Sequence, residues 1–257
     1  MQTKGDLRIS QEEYISIVEI NREPNNHFDY QLISDIADVY EDLDNQKDCR
    51  VIVLCSIGKH FCAGADFDKD RDMHDKKDPY EELYKQAVRL FKTKKPIIAA
   101  VQGGAIGGGL GLALSADFRV GCEESRFSAN FAKLGFHQGF GTSVTLPRIV
   151  GVQHSLDMLL TARRVKGIEA LEMGLIDRLV NIEKVRSESI SMAKEITSSA
   201  PLAVESIRET LRHGLADKVE KIVGHELEEQ MRLQKTSDFK EGVKSTLERR
   251  EGNFKGE

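Results

Sequence analysis

The chain reads as an α/β protein with a helical C-terminal section, and three features predict it. Two continuous apolar runs, Val51 to Cys55 and Pro96 to Val101, have the composition of strands buried on both faces. Each is followed by a glycine-containing loop, and the strand–loop–helix pattern repeats along the chain. Beyond Glu183 the sequence is nearly all helical in character, with many charges.

The elements follow in order. Met1 to Asp6 is polar and lacks the apolar core of a secretion signal. Ile15, Ile17 and Val18 mark a strand over Tyr14 to Glu19. Asn21 to Asn26, with Pro24, is a turn, and Asn25, Asn26 and His27 suit a turn and helix cap. Leu32, Ile33, Ile36, Ala37 and Tyr40 recur at helical spacing. A loop runs from Ile57 to Asp66, where His60 reads as solvent-facing, and Tyr80 to Phe91 predicts a helix. Gln102 to Gly109 is glycine-rich, and Leu110 to Leu114 is apolar enough for a buried helix. Phe118 and Val120 suggest another strand, ahead of Ser125 to Phe131. Leu159, Leu171 and Leu175 belong to mixed helical segments, and Leu179-Val180 is a short strand candidate. Serines and a proline interrupt the helical periodicity at Ser198 to Pro201, dividing a core, 1–197, from a helical C-terminal region, 198–257.

Composition narrows the function classes. At 257 residues, with 40% hydrophobic and 31% charged residues, the chain suits one large soluble domain. A net charge of -5 gives no support for a nucleic-acid partner, which would want a basic face. No apolar run approaches the roughly 20 residues that span a bilayer, so the expectation is a cytoplasmic protein without a membrane partner. Cys49, Cys55, Cys62 and Cys122 share no metal-ligand spacing and read as reduced thiols, with no metal expected.

The two glycine-bearing loops carry the chemistry. Each follows a buried strand and can present unpaired backbone N–H groups where the chain enters a helix. In Gly103-Gly104-Ala105-Ile106-Gly107-Gly108-Gly109 almost no side chain obstructs a ligand. Two such donors converging on one oxygen make an oxyanion hole. Glycine turns that merely pack strands on helices are the plain alternative. A dinucleotide fingerprint fails, because its third small position falls on Leu112 or Leu114.

The stretch Phe61-Cys62-Ala63-Gly64-Ala65-Asp66 resembles the first oxyanion loop of the crotonase superfamily, which includes enoyl-CoA hydratases and isomerases. Pro96 through Gln102 to Gly109 resembles its second. Leu134-Gly135, Leu146-Pro147-Arg148, Thr161 through Ala170 to Asp177, and the tail from Glu241-Gly242 to Asn253-Phe254 extend the similarity over nearly the whole chain. The resemblance implies a spiral of ββα units with a C-terminal helical region that joins subunits into a trimer or a dimer of trimers. It implies that the N–H groups of Ala65 and Gly108 hold the oxygen of an acyl-CoA thioester. Backbone groups of Cys62, Ala63 and Gly64 would hold coenzyme A, which enters as part of the substrate with no further cofactor. Cys62 would contribute its backbone rather than its thiol. Arg249 matches a basic position that reaches a neighbouring subunit's nucleotide.

Hydratases of this family use two glutamates, and the matching positions here are Gly111 and Phe131. A third acidic position of other members matches Gly139. Each positioned acid or base contributes roughly 10²–10⁴ in rate, so their joint absence predicts impaired hydration. The run Phe127 to Gly141 offers Asn130, His137 and Gln138 instead, and resembles decarboxylating crotonases of polyketide β-branching; Ala65-Asp66 matches the hydratase type better. His137 is a candidate to protonate an enolate or orient a water. Gln138 is a candidate to bind a polar acyl group. Gly111, Phe131 and Phe136 would line a dry acyl pocket, although the two rings equally suit core packing. Three functions follow: an enzyme forming a thioester enolate by decarboxylation, isomerisation or C–C cleavage; a non-catalytic acyl-CoA binder; and a hydratase using His137 or Asp68.

Overall fold

The computed structural model describes residues 1–65 and 79–257; Asp68 and the charged run Asp66 to Lys77 lie outside these. The described strands are β1 Gln2–Lys4, β2 Leu7–Glu12, β3 Ile15–Ile20, β4 Val51–Ser56, β5 Ile97–Val101, β6 Gly104–Ile106, β7 Phe118–Gly121, β8 Arg126–Ser128, β9 Val165–Lys166 and β10 Arg178–Leu179. The helices are α1 Tyr30–Asp44, α2 Pro79–Lys92, α3 Gly108–Ser115, α4 Thr142–Thr161, α5 Gly167–Glu172, α6 Val185–Thr197, α7 Pro201–Leu211, α8 Leu215–Leu233 and α9 Ser237–Leu247.

Seven strands form the main sheet in the order β1-β2-β3-β4-β5-β7-β10, and β6, β8 and β9 form a smaller one. From β3 to β10 all pairings in the main sheet are parallel. Every residue of β3, β4 and β5 is buried, which explains their unbroken apolar composition. Alternate side chains feed two cores. Val18, Ile52, Leu54, Ile97 and Ala99 join the large core with α1, α2 and α3. Ile17, Val51, Val53, Ile98 and Ala100 join a smaller one with Val185, Met192 and Ala193 of α6.

The structure departs from the sequence reading in three places. The polar N-terminus, to which the sequence reading gave no element, forms a strand: β1 pairs antiparallel with β2 at the sheet edge, where half-exposed strands need few apolar residues. The cap of α1 is not among Asn25, Asn26 and His27. It is Asp29, whose carboxylate accepts the Leu32 N–H at 2.9 Å. The small sheet escapes prediction because its strands are three residues or fewer.

Helices α8 and α9 pack on the chain's own core. Leu215, Val219 and Val223 of α8 belong to the large apolar cluster. Gly242 of α9 lies so close to Leu134 that a Cβ there would sit 2.5 Å from the Leu134 carbonyl carbon. Among the described residues, no helix is long and apolar enough to cross a membrane.

Candidate active site

The two glycine loops lie side by side. The Cys62 N–H donates to the Gly104 carbonyl at 3.0 Å, and the Ile106 N–H donates to the Cys62 carbonyl at 3.1 Å, making a parallel bridge between Cys62 and Ala105. Ala65 and Gly108 each follow this bridged pair by three positions. Each also follows a glycine in the left-handed region, Gly64 at φ 106° and Gly107 at φ 56°. Neither the Ala65 nor the Gly108 N–H has an acceptor among the described residues. Both residues are partly exposed, while Gly64, Gly107 and Gly109 are buried. Unpaired N–H groups at the start of a helix such as α3 attract an oxygen carrying negative charge.

Glycine is required where these loops touch. A Cβ on Gly109 would collide with the Cys62 carbonyl, and one on Gly108 with the Phe28 ring. Phe28 also joins the loops through its backbone, donating its N–H to the Gly64 carbonyl at 3.0 Å. Asn26, fully buried at φ 51°, donates its amide to the carbonyls of Ile57 at 2.8 Å and His60 at 2.6 Å. It pins the first loop rather than capping a helix.

His60 is likewise structural. Its Nδ1 accepts the Gly104 N–H at 3.0 Å, linking the first loop to the second. Burial, then the charge of Lys59 and the nearby His27, hold its pKa below the usual 6.5. The unfolded chain therefore takes up this proton first, so the stability due to neutral His60 is complete above that value and declines as pH falls through it. We expect the thermal midpoint to drop between about pH 7 and about pH 5. His60→Asn keeps an acceptor and cannot titrate, so its profile should be flatter; coincident slopes would remove His60 as the cause.

Each expected acid position is occupied by, or packed against, an aromatic ring. A Cβ on Gly111 would lie 2.6 Å from the Phe140 Cβ and 2.8 Å from its ring. The Phe131 ring lies 3.9 Å from the Cβ position of Gly107 and meets Phe136 edge-on at 5.7 Å; Phe136 in turn meets Phe239 of α9 at 5.5 Å. Gly139 is blocked by the Tyr84 hydroxyl and by Gln230 Nε2. Side chains of glutamate size have no room at Gly111 or Gly139 while these partners stay in place.

His137 and Gln138 are tied to their surroundings. His137 Nδ1 donates to the Gln138 carbonyl at 2.9 Å, which leaves Nε2 as the acceptor of the neutral ring. The ring meets His225 edge-on at 5.8 Å, and the His137 carbonyl accepts Gln230 Nε2 at 3.0 Å. The Gln138 amide donates to Ser143 Oγ at 3.0 Å. These contacts join both residues to α4 and α8 rather than to Gly108 or Gly111.

The residue that organises this segment was not singled out from sequence. Glu226 is fully buried and accepts the N–H groups of Gly141 at 2.8 Å and Ser143 at 3.0 Å, capping the start of α4 from α8. Burial raises its pKa, opposed by hydrogen bonds from Ser143 and Gly141. Tyr84 donates to Gln230 Oε1 at 2.8 Å, tying α2 to the same face of α8. A signal existed: Val219, Val223, Glu226 and Gln230 share one helical stripe, and two polar residues on an apolar stripe mark a buried network.

The remaining candidates are placed as follows. The N–H groups of Cys62 and Ala63 are already paired, to Gly104 and to Asn25, so of the two only the Ala63 carbonyl stays open among the described residues. Burial pushes the Cys62 thiol up to about 12, which makes it a poor nucleophile. All four cysteines are free and buried. Arg249 is exposed beyond the end of α9, at φ 54°.

A spiral of parallel strands carrying two facing glycine loops defines a crotonase-type protein, and comparison with known proteins agrees. The profile of the enoyl-CoA hydratase/isomerase family matches residues 10–257, and the chain belongs to that family. It is 30% identical over 254 residues to the crotonyl-CoA hydratase of Syntrophomonas wolfei, covering 97% of each chain. It is 28% identical over 250 residues to the short-chain-enoyl-CoA hydratase of Clostridium acetobutylicum, covering 96% of each. The crystal structure of an enoyl-CoA hydratase/isomerase from Pseudoalteromonas atlantica superposes with a TM-score of 0.87 at 27% identity, over 98% of this chain and 100% of that one.

Proposed function

We propose that the chain binds an acyl thioester of coenzyme A with its carbonyl oxygen between the amides of Ala65 and Gly108, and stabilises the enolate by chemistry other than standard hydration. The observation that supports this reading is the pair of unpaired N–H groups, each three positions beyond the bridge between Cys62 and Ala105. An enolate next to a thioester concentrates charge on the oxygen that such donors hold. The relatives named for hydration support the thioester; the glycines and ring at Gly111, Phe131 and Gly139 argue against hydration itself.

In this proposal the open Ala63 carbonyl is offered to the adenine of coenzyme A, no other cofactor takes part, and the protein works in the cytoplasm. Its subunits form a trimer or a dimer of trimers through the helices of 198–257, with Arg249 reaching a neighbour's nucleotide. His137 is the candidate that protonates the enolate, when its ring carries both protons, or that orients a water through Nε2.

The test combines two measurements. Calorimetric titration with acyl-CoA should show saturable binding. Hydration of crotonyl-CoA should run at least about 10⁴-fold below that of an efficient hydratase measured alongside, because two acid–base contributions are missing. Efficient hydration would overturn the proposal. Release of CO₂ from malonyl-type thioesters identifies decarboxylation, and binding without turnover on any thioester identifies a binder.

A further inference from the structure

We infer that Phe140 is a specificity-determining residue that closes the acyl end of this site and restricts it to short, unbranched acyl groups. The inference rests on the thioester reading above. With the thioester oxygen held at Gly108, the acyl carbons run over the first turn of α3. Gly111, three residues on, lies on that same face. Phe140 fills the space above it: its Cβ and ring lie 2.6–2.8 Å from the Cβ position of Gly111, and only 1% of the residue is exposed.

The ring is held firmly. Phe28, whose own ring covers Gly108, meets Phe140 edge-on at 5.5 Å. The adjoining Gly141 N–H is bonded to the buried Glu226 carboxylate at 2.8 Å. Phe140 itself sits at φ 61°, a conformation that a bulky residue adopts only when its surroundings impose it. A ring fixed on both sides cannot swing aside for a longer chain without disturbing the start of α4. At the neighbouring Gly139, the Tyr84 hydroxyl and Gln230 take up the space a side chain would need. In this inference the pocket ends within a few carbons of the thioester.

The experiment measures dissociation constants of acetyl-, butyryl- and octanoyl-CoA by calorimetry on the full chain, wild type and Phe140→Gly. Glycine relieves the left-handed backbone and removes the ring. Wild type should bind octanoyl-CoA at least about tenfold more weakly than butyryl-CoA, and Phe140→Gly should close or reverse that gap. Phe140→Leu, which keeps apolar volume in case the glycine variant does not fold, should fall between them. Equal binding of the short and long thioesters by wild type overturns the role of Phe140 while the thioester reading stands. A gap that survives in both variants does the same. No binding of any thioester overturns the reading of the site, and this inference with it.

Discussion

Ala65→Pro is expected to lower turnover of any thioester substrate by about 10²–10³-fold, because it deletes one of two N–H donors. Alanine already carries a Cβ, so the variant tests the donor rather than packing. The equivalent change at Gly108 is less informative, since any Cβ there meets the Phe28 ring. A donor that acts on the developing enolate should lower kcat while the affinity for a thioester ground state moves less. Single-turnover kinetics beside calorimetric binding would show the split. Retention of full activity would mean that another group holds the oxygen.

Glu226→Ala should destabilise the protein by about 3 kcal/mol, since it strands two backbone N–H groups in the interior and leaves a cavity. For a chain of this size that corresponds to roughly 6–12 °C in thermal midpoint, readable by calorimetry. Glu226→Gln should recover part of the loss, because an amide offers one acceptor where the carboxylate offers two. Should Glu226→Ala melt with wild type, the capping of α4 would not be a source of stability.

Some of this was readable in the sequence because some of it is local. The strands β3, β4 and β5 announce themselves as apolar runs since both of their faces are covered. The glycines of the second loop are visible as a cluster, and the positions of Ala65 and Gly108 follow from the family resemblance. The packing around them was not visible, since it depends on partners far apart in the chain. His60 acquires its role from the Gly104 N–H 44 positions later, and Tyr84 from Gln230, 146 positions later. Gly111 and Gly139 read only as missing acids; that Phe140 and Tyr84 fill their space is a property of the folded chain. The same holds for β1, whose polar sequence becomes a strand only because β2 offers it an edge.

The bond from Gly141 to Glu226 joins positions 85 residues apart, so the group that caps α4 is made well after α4 itself. During synthesis the sheet and both glycine loops leave the ribosome well before α8 and α9. The segment from Leu134 to Ser143 must therefore wait, its helix start uncapped and Phe140 free of the constraint that fixes it. The nascent chain would acquire its fold early and its finished ligand cradle late, so a product released prematurely would be folded in outline yet unable to hold its acyl group.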